Sequence, residues 1–221
     1  MKLNYKSEDF ANPYIVKCAL IGHYGVGKST LGHMFEVGKF DNTITTTIGI
    51  DFFTKTIKLP EYNNHSIKLQ IWDTAGQEKF KSIITSYLRD VFVAFIMFDM
   101  TNRESWEDID VWKGLVNNKT SIPRVVLVGT KSDKRDHVVT IDEINQKSKE
   151  WNCNSYILSS KQSNSSSMIY RMFSIETYHF HTDMVNNHRN GEELPFGILE
   201  KDNSRLSLND YEPNPKWCCF Q

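Results

Sequence analysis

A glycine-rich stretch between an apolar run and a helix-forming segment is the feature that most constrains the fold of this chain. Residues 22–29 read Gly-His-Tyr-Gly-Val-Gly-Lys-Ser and fit the pattern G-x-x-x-x-G-K-[ST]. They follow the β-rich run Tyr14–Ile21 and lead into Ser29–Val37, which can form a helix. In this strand–loop–helix context, backbone N–H groups turn toward phosphate oxygens and the helix N-terminus favours their negative charge. The pattern predicts that Lys28 reaches the β- and γ-phosphates and that the Ser29 hydroxyl binds Mg²⁺.

Apolar runs and helical stretches alternate along the rest of the chain. Ile48–Leu59 and Ser66–Trp72 are predicted to form a hairpin, because both show strand patterning and a turn-forming segment separates them. Val91–Phe98 and Val125–Val128 are continuously apolar, which is typical of strands covered on both faces. A shorter strand is predicted at residues 156–158, and helices at residues 82–89, 105–117, 141–151 and 168–180. We therefore expect an α/β fold in which helices cover both faces of a mostly parallel sheet.

The patterning divides the chain into three parts. Residues 1–13 are read as an N-terminal extension, 14–188 as a nucleotide-binding domain and 189–221 as a flexible tail. The tail has scattered charges, three prolines and no hydrophobic period, so no packed structure is expected there. Its four Lys/Arg face six Asp/Glu, so it is not polybasic.

The charge balance, the length of the apolar runs and the N-terminal residues argue against several classes of function. Lys and Arg number 26 and Asp and Glu 27, so no overall basic field points to nucleic acid. The longest unbroken apolar stretch is Val91–Phe98, whereas a membrane-spanning helix needs about 20 apolar residues. Glu8 and Asp9 stand where a signal peptide requires an apolar block. We expect neither a nucleic-acid partner nor secretion.

Asp73 follows the second arm of the predicted hairpin and is the expected acidic partner of the metal. Mg²⁺ retains several of its waters, so this carboxylate is expected to act through one of them. The alternative role of an aspartate at the end of a strand is to cap the next helix.

At Asp73-Thr74-Ala75-Gly76-Gln77-Glu78 the sequence resembles the Ras-like small GTPases, and the resemblance covers about residues 12–185. The stretches IGIDF at 48–52, KLQIW at 68–72 and the residues around 80–89 resemble the Rab branch in particular. The resemblance implies the three-layer P-loop NTPase fold of small GTPases. That fold has a mostly parallel six-stranded sheet with one antiparallel strand and helices on both faces. GTP or GDP with Mg²⁺ is the implied ligand.

The resemblance also implies roles for residues around the phosphates. Thr47 corresponds to the switch threonine, whose hydroxyl completes the Mg²⁺ shell, and it lies 18 residues after Ser29 as in the family. Gly76 corresponds to the pivot of the second switch, and Gln77 to the catalytic residue that orients the attacking water. Phe40 is implied to lie against the guanine edge, with a core role as the alternative. The other implied nucleotide contacts are Gly22, Gly25, Val26, Gly27 and Thr30.

Recognition of the base is expected in two loops. Thr130-Lys131-Ser132-Asp133 resembles the family motif N/T-K-x-D, in which the carboxylate accepts two hydrogen bonds that adenine cannot supply. Lys131 then lies along the purine face, and Thr130 stands where most Rab proteins have Asn, which implies altered support of the loop. Ser159-Ser160-Lys161 resembles the family's S-A-K, whose middle N–H meets guanine O6. Effector contacts are implied for Ile48, Gly49, Ile50, Asp51, Phe52 and Trp72.

Tyr24 is the largest departure from the family inside the phosphate loop, where relatives carry Gly or a small polar residue. A phenol there is expected to crowd Gln77 and any inserted arginine finger, and so to slow GTP hydrolysis. The alternative is a tyrosine that swings out into solvent.

Two cysteines, Cys218 and Cys219, stand within the last four residues. In a Rab-like chain they resemble a double prenylation site, whereas C-a-a-X at Cys218 alone would suggest one farnesyl group. One lipid gives only reversible membrane binding, and the tail offers no basic patch as a second signal, so two chains are favoured. Unmodified thiols are the remaining alternative.

The sequence thus predicts a monomeric Rab-like switch that hydrolyses GTP at a low intrinsic rate and regulates vesicle traffic. Its expected partners are an exchange factor, a GTPase-activating protein, effectors and the prenylation machinery. It is expected on the cytoplasmic face of a membrane, with a soluble cytosolic pool. One alternative is a decoy module that binds GTP and effectors without turning GTP over. A P-loop metabolic kinase is a third, opposed by Lys131 and Asp133.

Overall fold

The computed structural model of the protein describes residues 14–44, 46–47, 49–59, 65–74, 84, 86–117 and 124–189. Six strands are present in these ranges: β1 Tyr14–Gly22, β2 Ile50–Leu59, β3 His65–Thr74, β4 Val93–Asp99, β5 Arg124–Thr130 and β6 Asn154–Ile157. The helices are α1 Lys28–Val37, α2 Arg103–Glu107, α3 Ile109–Asn117, α4 Ile141–Trp151 and α5 Ser165–Arg189. Ile84, Ser86 and Tyr87 are also helical.

The six strands form one sheet in the order β2-β3-β1-β4-β5-β6. All neighbouring pairs are parallel except β2 and β3, which form the predicted antiparallel hairpin. The expected fold class, a mostly parallel six-stranded sheet with one antiparallel strand and helices on the faces, is confirmed. β1 lies at the centre of this sheet, so the loop that follows it opens at the carboxyl edge of the parallel strands, where α/β folds bind their ligands.

Two cores cover the two faces of the sheet. Successive side chains of a strand point to opposite faces, so Cys18 and Leu20 of β1 join one core and Ala19 and Ile21 join the other. The first core is completed by α1 and α5, and the second by α2, α3 and α4. The Cys18 thiol is fully buried, which raises its pKa far above the usual range, so it is an inert core group.

The helices differ in detail from the predicted spans. The stretch predicted as one helix at 105–117 is divided at Asp108. Its first part begins earlier, at Arg103, because the Asn102 side chain accepts a hydrogen bond from the N–H of Ser105 and caps the helix. The last helix begins at Ser165, three residues before the predicted start, and continues to Arg189.

A buried carboxylate fastens α5 to the sheet. Glu176 is fully buried, and its carboxylate accepts hydrogen bonds from Arg124 Nε at 2.7 Å, Asn154 Nδ2 at 2.8 Å and the Tyr156 hydroxyl at 2.5 Å. Arg124 belongs to β5, and Asn154 and Tyr156 belong to β6. The strands that precede both predicted base-binding loops are therefore held to the same helix.

Candidate nucleotide-binding site

The loop from Gly22 to Gly27 takes a shape that only glycine accepts at its ends. Gly22 has a φ of 143°, and a Cβ there would lie 2.1 Å from the carbonyl oxygen of Met97 on β4. Gly27 has a φ of 97° and immediately precedes the first residue of α1. The glycines thus let the chain leave β1 against β4 and turn directly into a helix N-terminus, the arrangement that presents N–H groups to phosphate.

Lys28 lies along this loop rather than extending into solvent. Its side chain is buried, and Nζ donates hydrogen bonds to the carbonyl oxygens of Gly22 and His23, both at 2.9 Å. Burial lowers the pKa of Lys28 to about 8, and the nearby negative charge of Asp73 only partly opposes this. The ammonium is therefore held at the inner side of the loop, where it can bind a phosphate oxygen.

Three oxygen-bearing side chains meet at the N-terminus of α1. The hydroxyl oxygens of Ser29 and Thr47 are 2.5 Å apart, and the Thr47 hydroxyl donates to Asp73 Oδ2 at 3.1 Å. Asp73 is fully buried, and its Oδ1 has no hydrogen-bond partner within the described residues. Burial raises the pKa of Asp73, against hydrogen bonds from Ser29 and Thr47 and the charge of Lys28.

This donor set fits Mg²⁺. Hydroxyl and carboxylate oxygens are the ligands that this cation prefers, and a buried carboxylate oxygen without a partner is available to it directly or through water. The ion would neutralise charge on the β- and γ-phosphates. Ser29, Thr47 and Asp73, predicted from the sequence as metal residues, are brought together by the fold. The residues that Asp73 would cap in the alternative role, 75–83, lie outside the described part of the chain.

A cavity of about 250 Å³ opens beside these residues. Six predicted phosphate or metal residues line it: Gly25, Gly27, Lys28, Ser29, Thr30 and Thr47. Tyr24, Ile44, Thr46 and Thr74 complete the wall. The sequence did not indicate the last three as site residues, although Thr46 adjoins the predicted switch threonine and Thr74 follows Asp73.

Tyr24 makes a contact that the sequence did not suggest. Its hydroxyl lies 3.1 Å from the hydroxyl oxygen of Thr46, while 48% of the residue surface remains exposed. The side chain is thus neither buried nor free in solvent. Gln77, which it was expected to crowd, lies outside the described residues.

The base-side loop is joined to the phosphate loop through backbone carbonyls. The buried Thr130 hydroxyl is 2.7 Å from the Val26 carbonyl and 2.9 Å from that of Phe98. Lys131 Nζ donates to the Gly25 carbonyl at 2.7 Å and pairs with Asp99 Oδ2 at the same distance. A threonine at position 130 therefore supports the loop, because its hydroxyl lies within hydrogen-bond distance of a loop carbonyl and a strand carbonyl and donates its one proton there.

Asp133 and Ser159 bring the two predicted base-binding loops together. The buried Ser159 hydroxyl donates to Asp133 Oδ1 at 2.5 Å, and the Ser159 oxygen accepts from the N–H of Lys161 at 3.1 Å. The hydrogen bond from Ser159 lowers the pKa of the exposed Asp133, so this carboxylate is ionised and can accept N–H donors. Ser160 lies between the two hydrogen-bonded residues and is half-buried.

Phe40 lies between the core and the base-side loops. It is half-buried against the α1–α5 core, and Lys161 Nζ is 5.9 Å from its ring centroid. The core role left open by the sequence is thus present, and the ring also neighbours a predicted base-binding residue.

The predicted effector residues include an exposed aromatic group. Gly49 precedes β2, and Ile50 and Asp51 begin it. Phe52, with 43% of its surface exposed, lies 5.0 Å from Trp72 between ring centroids, and Trp72 lies 5.5 Å from Tyr87. Lys17 Nζ lies 4.9 Å from the centroid of Trp72 and donates to the Arg89 carbonyl at 2.6 Å. The sequence did not indicate that Tyr87 and Lys17 belong to this aromatic surface. The predicted residues Ile48, Gly76, Gln77, Cys218 and Cys219 lie outside the described part of the chain.

A glycine-rich loop at the carboxyl edge of a parallel sheet, with a Ser–Thr–Asp oxygen cluster beside it, defines a P-loop nucleotide-binding protein. A family model of the Ras family matches residues 17–177. Among curated relatives, the Ras-related protein RabO of Dictyostelium discoideum is 39% identical over 136 residues, which are 60% of this chain and 61% of that protein. The chain belongs to the Ras family of small GTPases, and its similarity to RabO agrees with the resemblance to the Rab branch. The alignment spans about three fifths of RabO's length. No helix within the described ranges is both long and apolar enough to cross a bilayer.

Proposed function

We propose that this protein is a Rab-type molecular switch that binds GTP and GDP with Mg²⁺ and hydrolyses GTP. The observation that carries the proposal is the set of contacts that connect the base-side loops to the phosphate loop. Asp133, held by Ser159, provides a guanine-specific acceptor, and Thr130 and Lys131 connect its loop to the backbone of the phosphate loop. A kinase would need no guanine-specific carboxylate at this position.

In this proposal each residue of the site has one task. Lys28 and the loop N–H groups bind the β- and γ-phosphates, while Ser29 and Thr47 hold Mg²⁺ and Asp73 supports it through water. Gln77 orients the attacking water, and the N–H of Gly76 senses the γ-phosphate, as the resemblance implies. Loss of the γ-phosphate releases the segments that contain Thr47 and Gly76.

Base selection gives the most direct test. Asp133→Asn replaces a charged acceptor with an amide, and removing one charge-assisted hydrogen bond costs about 1.5–3 kcal/mol. We expect GTP affinity to fall by about 10- to 100-fold in equilibrium titration with a fluorescent nucleotide. Asp136→Asn, an exposed change in the same loop, is the control and should bind GTP as the wild type does. A wild type that binds ATP as tightly as GTP would contradict the assignment.

Tyr24 supports a second element of the proposal, slow GTP hydrolysis. The residue lines the cavity beside the phosphate loop, where its ring would crowd the γ-phosphate and Gln77. We expect Tyr24→Gly to hydrolyse bound GTP several-fold faster in a single-turnover assay, both alone and with an activating protein. Equal rates for the two proteins would eliminate the steric effect.

The same tyrosine motivates the alternative function, a decoy that holds GTP and effectors without cycling. A decoy would retain bound GTP over hours even with a GTPase-activating protein, and Tyr24→Gly would restore turnover. A cycling switch hydrolyses its GTP in that assay, and an exchange factor then replaces the GDP.

A role in vesicle traffic is proposed from the aromatic surface and the tail. Exposed Phe52 and Tyr87, with half-buried Trp72 between them, offer an apolar surface beside the segment that contains Thr47, so an effector bound there would sense the nucleotide state. The domain of residues 14–188 would then be tethered by the tail 189–221, while 1–13 form an extension. Exchange factor, activating protein and effectors act on a monomer, with no role for nucleic acid.

The anchor itself is proposed to be two prenyl groups, on Cys218 and Cys219. Intact-mass spectrometry of the full chain from eukaryotic cells should show two geranylgeranyl additions. The fluorescently tagged protein should lie on the cytoplasmic face of a membrane, with a cytosolic pool. Changing both cysteines to serine should make it entirely cytosolic. An unmodified C-terminus in wild-type protein would refute the anchor, and a single farnesyl group would support the C-a-a-X reading instead.

A further inference from the structure

The segment that carries the switch threonine is held at two successive residues. Thr47 faces inward, with its hydroxyl 2.5 Å from that of Ser29 and 3.1 Å from Asp73 Oδ2. Thr46 is exposed, and its hydroxyl lies 3.1 Å from that of Tyr24. Both threonines and Tyr24 line the phosphate cavity. The Thr47 contacts therefore lie at the metal end of the cavity, and the Thr46–Tyr24 contact lies at its solvent side.

The phosphate-loop side of the Tyr24–Thr46 contact is firmly fixed. The carbonyl oxygens on either side of Tyr24 are both occupied: that of His23 accepts from Lys28, and that of Gly25 accepts from Lys131. The Tyr24 carbonyl itself lies 3.0 Å from His23 Nδ1. The backbone under Tyr24 is thus anchored to α1 and to the base-side loop, whereas Thr46 lies outside helices and strands. A backbone movement that separates the two hydroxyls is therefore a movement of the Thr46 segment.

We propose that the Tyr24–Thr46 hydroxyl pair is a clasp that closes the segment over the phosphate cavity and slows the release of bound guanine nucleotide. The clasp rests on the proposed binding of GTP and GDP. A nucleotide whose phosphates lie between the loop and Thr47 cannot leave past this wall until the segment moves away. Tyr24 is therefore a positioning residue, which acts on the ligand through Thr46. Its hydroxyl serves this role, whereas the proposed slow hydrolysis depends on its ring.

Nucleotide release from the full-length protein tests the clasp. The protein is loaded with GDP that carries a methylanthraniloyl label, and release is followed after addition of excess unlabelled GDP and Mg²⁺. Tyr24→Phe removes only the hydroxyl, and the loss of one neutral hydrogen bond predicts release faster by about two- to tenfold. Thr46→Val should accelerate release by a similar factor. The double variant should release no faster than the faster single variant, because both changes break the same contact.

Controls separate the clasp from general loosening and from failure of the proposed function. Tyr170→Phe makes the same chemical change on α5, away from the cavity, and should leave the release rate at the wild-type value. Release rates that match the wild type in Tyr24→Phe, or factors that multiply in the double variant, would overturn the clasp. If the wild type takes up no labelled GDP, the guanine-nucleotide assignment fails and the clasp fails with it. If labelled GDP binds but is released at the same rate by the wild type and all variants, the clasp is refuted and the guanine-nucleotide assignment stands.

Discussion

The base side and the phosphate side of the site are held by different kinds of contact. On the base side, Thr130 is buried and bonds to the carbonyls of Val26 and Phe98, and Ser159 is buried beneath Asp133. On the phosphate side, the described contacts of Thr46 and Thr47 are made by their hydroxyls, to Tyr24 and Ser29 of the loop region and to Asp73 at the end of β3. Both threonines belong to a segment without helix or strand at those positions.

This difference indicates where the protein can change state. Thr130 belongs to β5 and Phe98 to β4, so the sheet fixes their contact and the fold preorganises this part of the base side. Contacts between side-chain hydroxyls cost little to break individually, so the Thr46–Thr47 segment can leave the loop while the core stays intact. The following substitutions test this contrast, starting with the largest expected change in stability.

Glu176→Ala should have the largest effect, because it removes the buried carboxylate that ties α5 to the strands of the base side. Removing one partner of a buried ion pair leaves an uncompensated charge, and we expect the free energy of unfolding to fall by about 3 kcal/mol. Urea denaturation measures the change. Glu107→Ala removes an exposed carboxylate that pairs with Arg103 and should change stability by less than about 0.5 kcal/mol. Equal effects of the two changes would contradict the structural role of Glu176.

The substitution of threonine by valine compares the two sides directly. Thr130→Val removes a buried hydroxyl whose single proton lies within hydrogen-bond distance of two carbonyls, and it should cost about 1–2 kcal/mol of unfolding free energy. Thr46→Val on the exposed segment should change stability by no more than about 0.5 kcal/mol. Thermal unfolding of both variants checks the prediction. A Thr46 variant as unstable as the Thr130 variant would show that the switch segment is part of the structural core.

A substitution of Lys55 tests whether α1, which follows the phosphate loop, is held by contacts that contribute to stability. Its Nζ donates to the carbonyls of Phe35 and Glu36 in the last turn of α1, at 2.6 and 3.2 Å. Lys55→Met removes a cation from a helix C-terminus, which predicts a loss of about 0.3–1 kcal/mol in unfolding free energy. Lys58→Met, an exposed change on the same strand, is the matched control. If Lys55→Met lowered the free energy of unfolding no more than Lys58→Met does, the contact between Lys55 and α1 would not contribute to stability.

The smallest expected effect is a pH dependence at the end of the base-side loop. Glu143 closes the capping box of α4. Hydrogen bonds from the Thr140 backbone, the Arg103 guanidinium and the Thr140 hydroxyl lower its pKa to about 2 from an ordinary value of 4.5. The folded pKa is depressed, so the stabilisation is fully present above pH 4.5 and is lost as the pH falls toward 2. The stability difference between wild type and Glu143→Gln should therefore shrink on acidification. A difference that stays constant between pH 6 and pH 3 would contradict it.

Much of the fold and site was predictable because the determinants are local. The strand, loop and helix around Gly22–Ser29 are neighbours in sequence, and the hairpin follows from alternation and a turn. Thr47, Asp73, Asp133 and Ser159 were found by motif, and the fold brings each of them to the expected neighbourhood. The break at Asp108 was missed because the apolar pattern continues through it, and the early helix start depends on a cap by Asn102 that the pattern does not register.

The sequence by itself determined the phosphate loop, the family, the predicted base-binding motifs and the presence of Tyr24 and the paired cysteines. Only the tertiary structure decided which groups those residues meet. Tyr24 meets Thr46, Thr130 meets Val26, and Glu176 meets Arg124, pairs separated by 22, 104 and 52 positions. Periodicity and motif spacing record contacts within a helix, strand or turn. Contacts between distant segments depend on how the sheet orders its strands, because that order sets which loops share an edge.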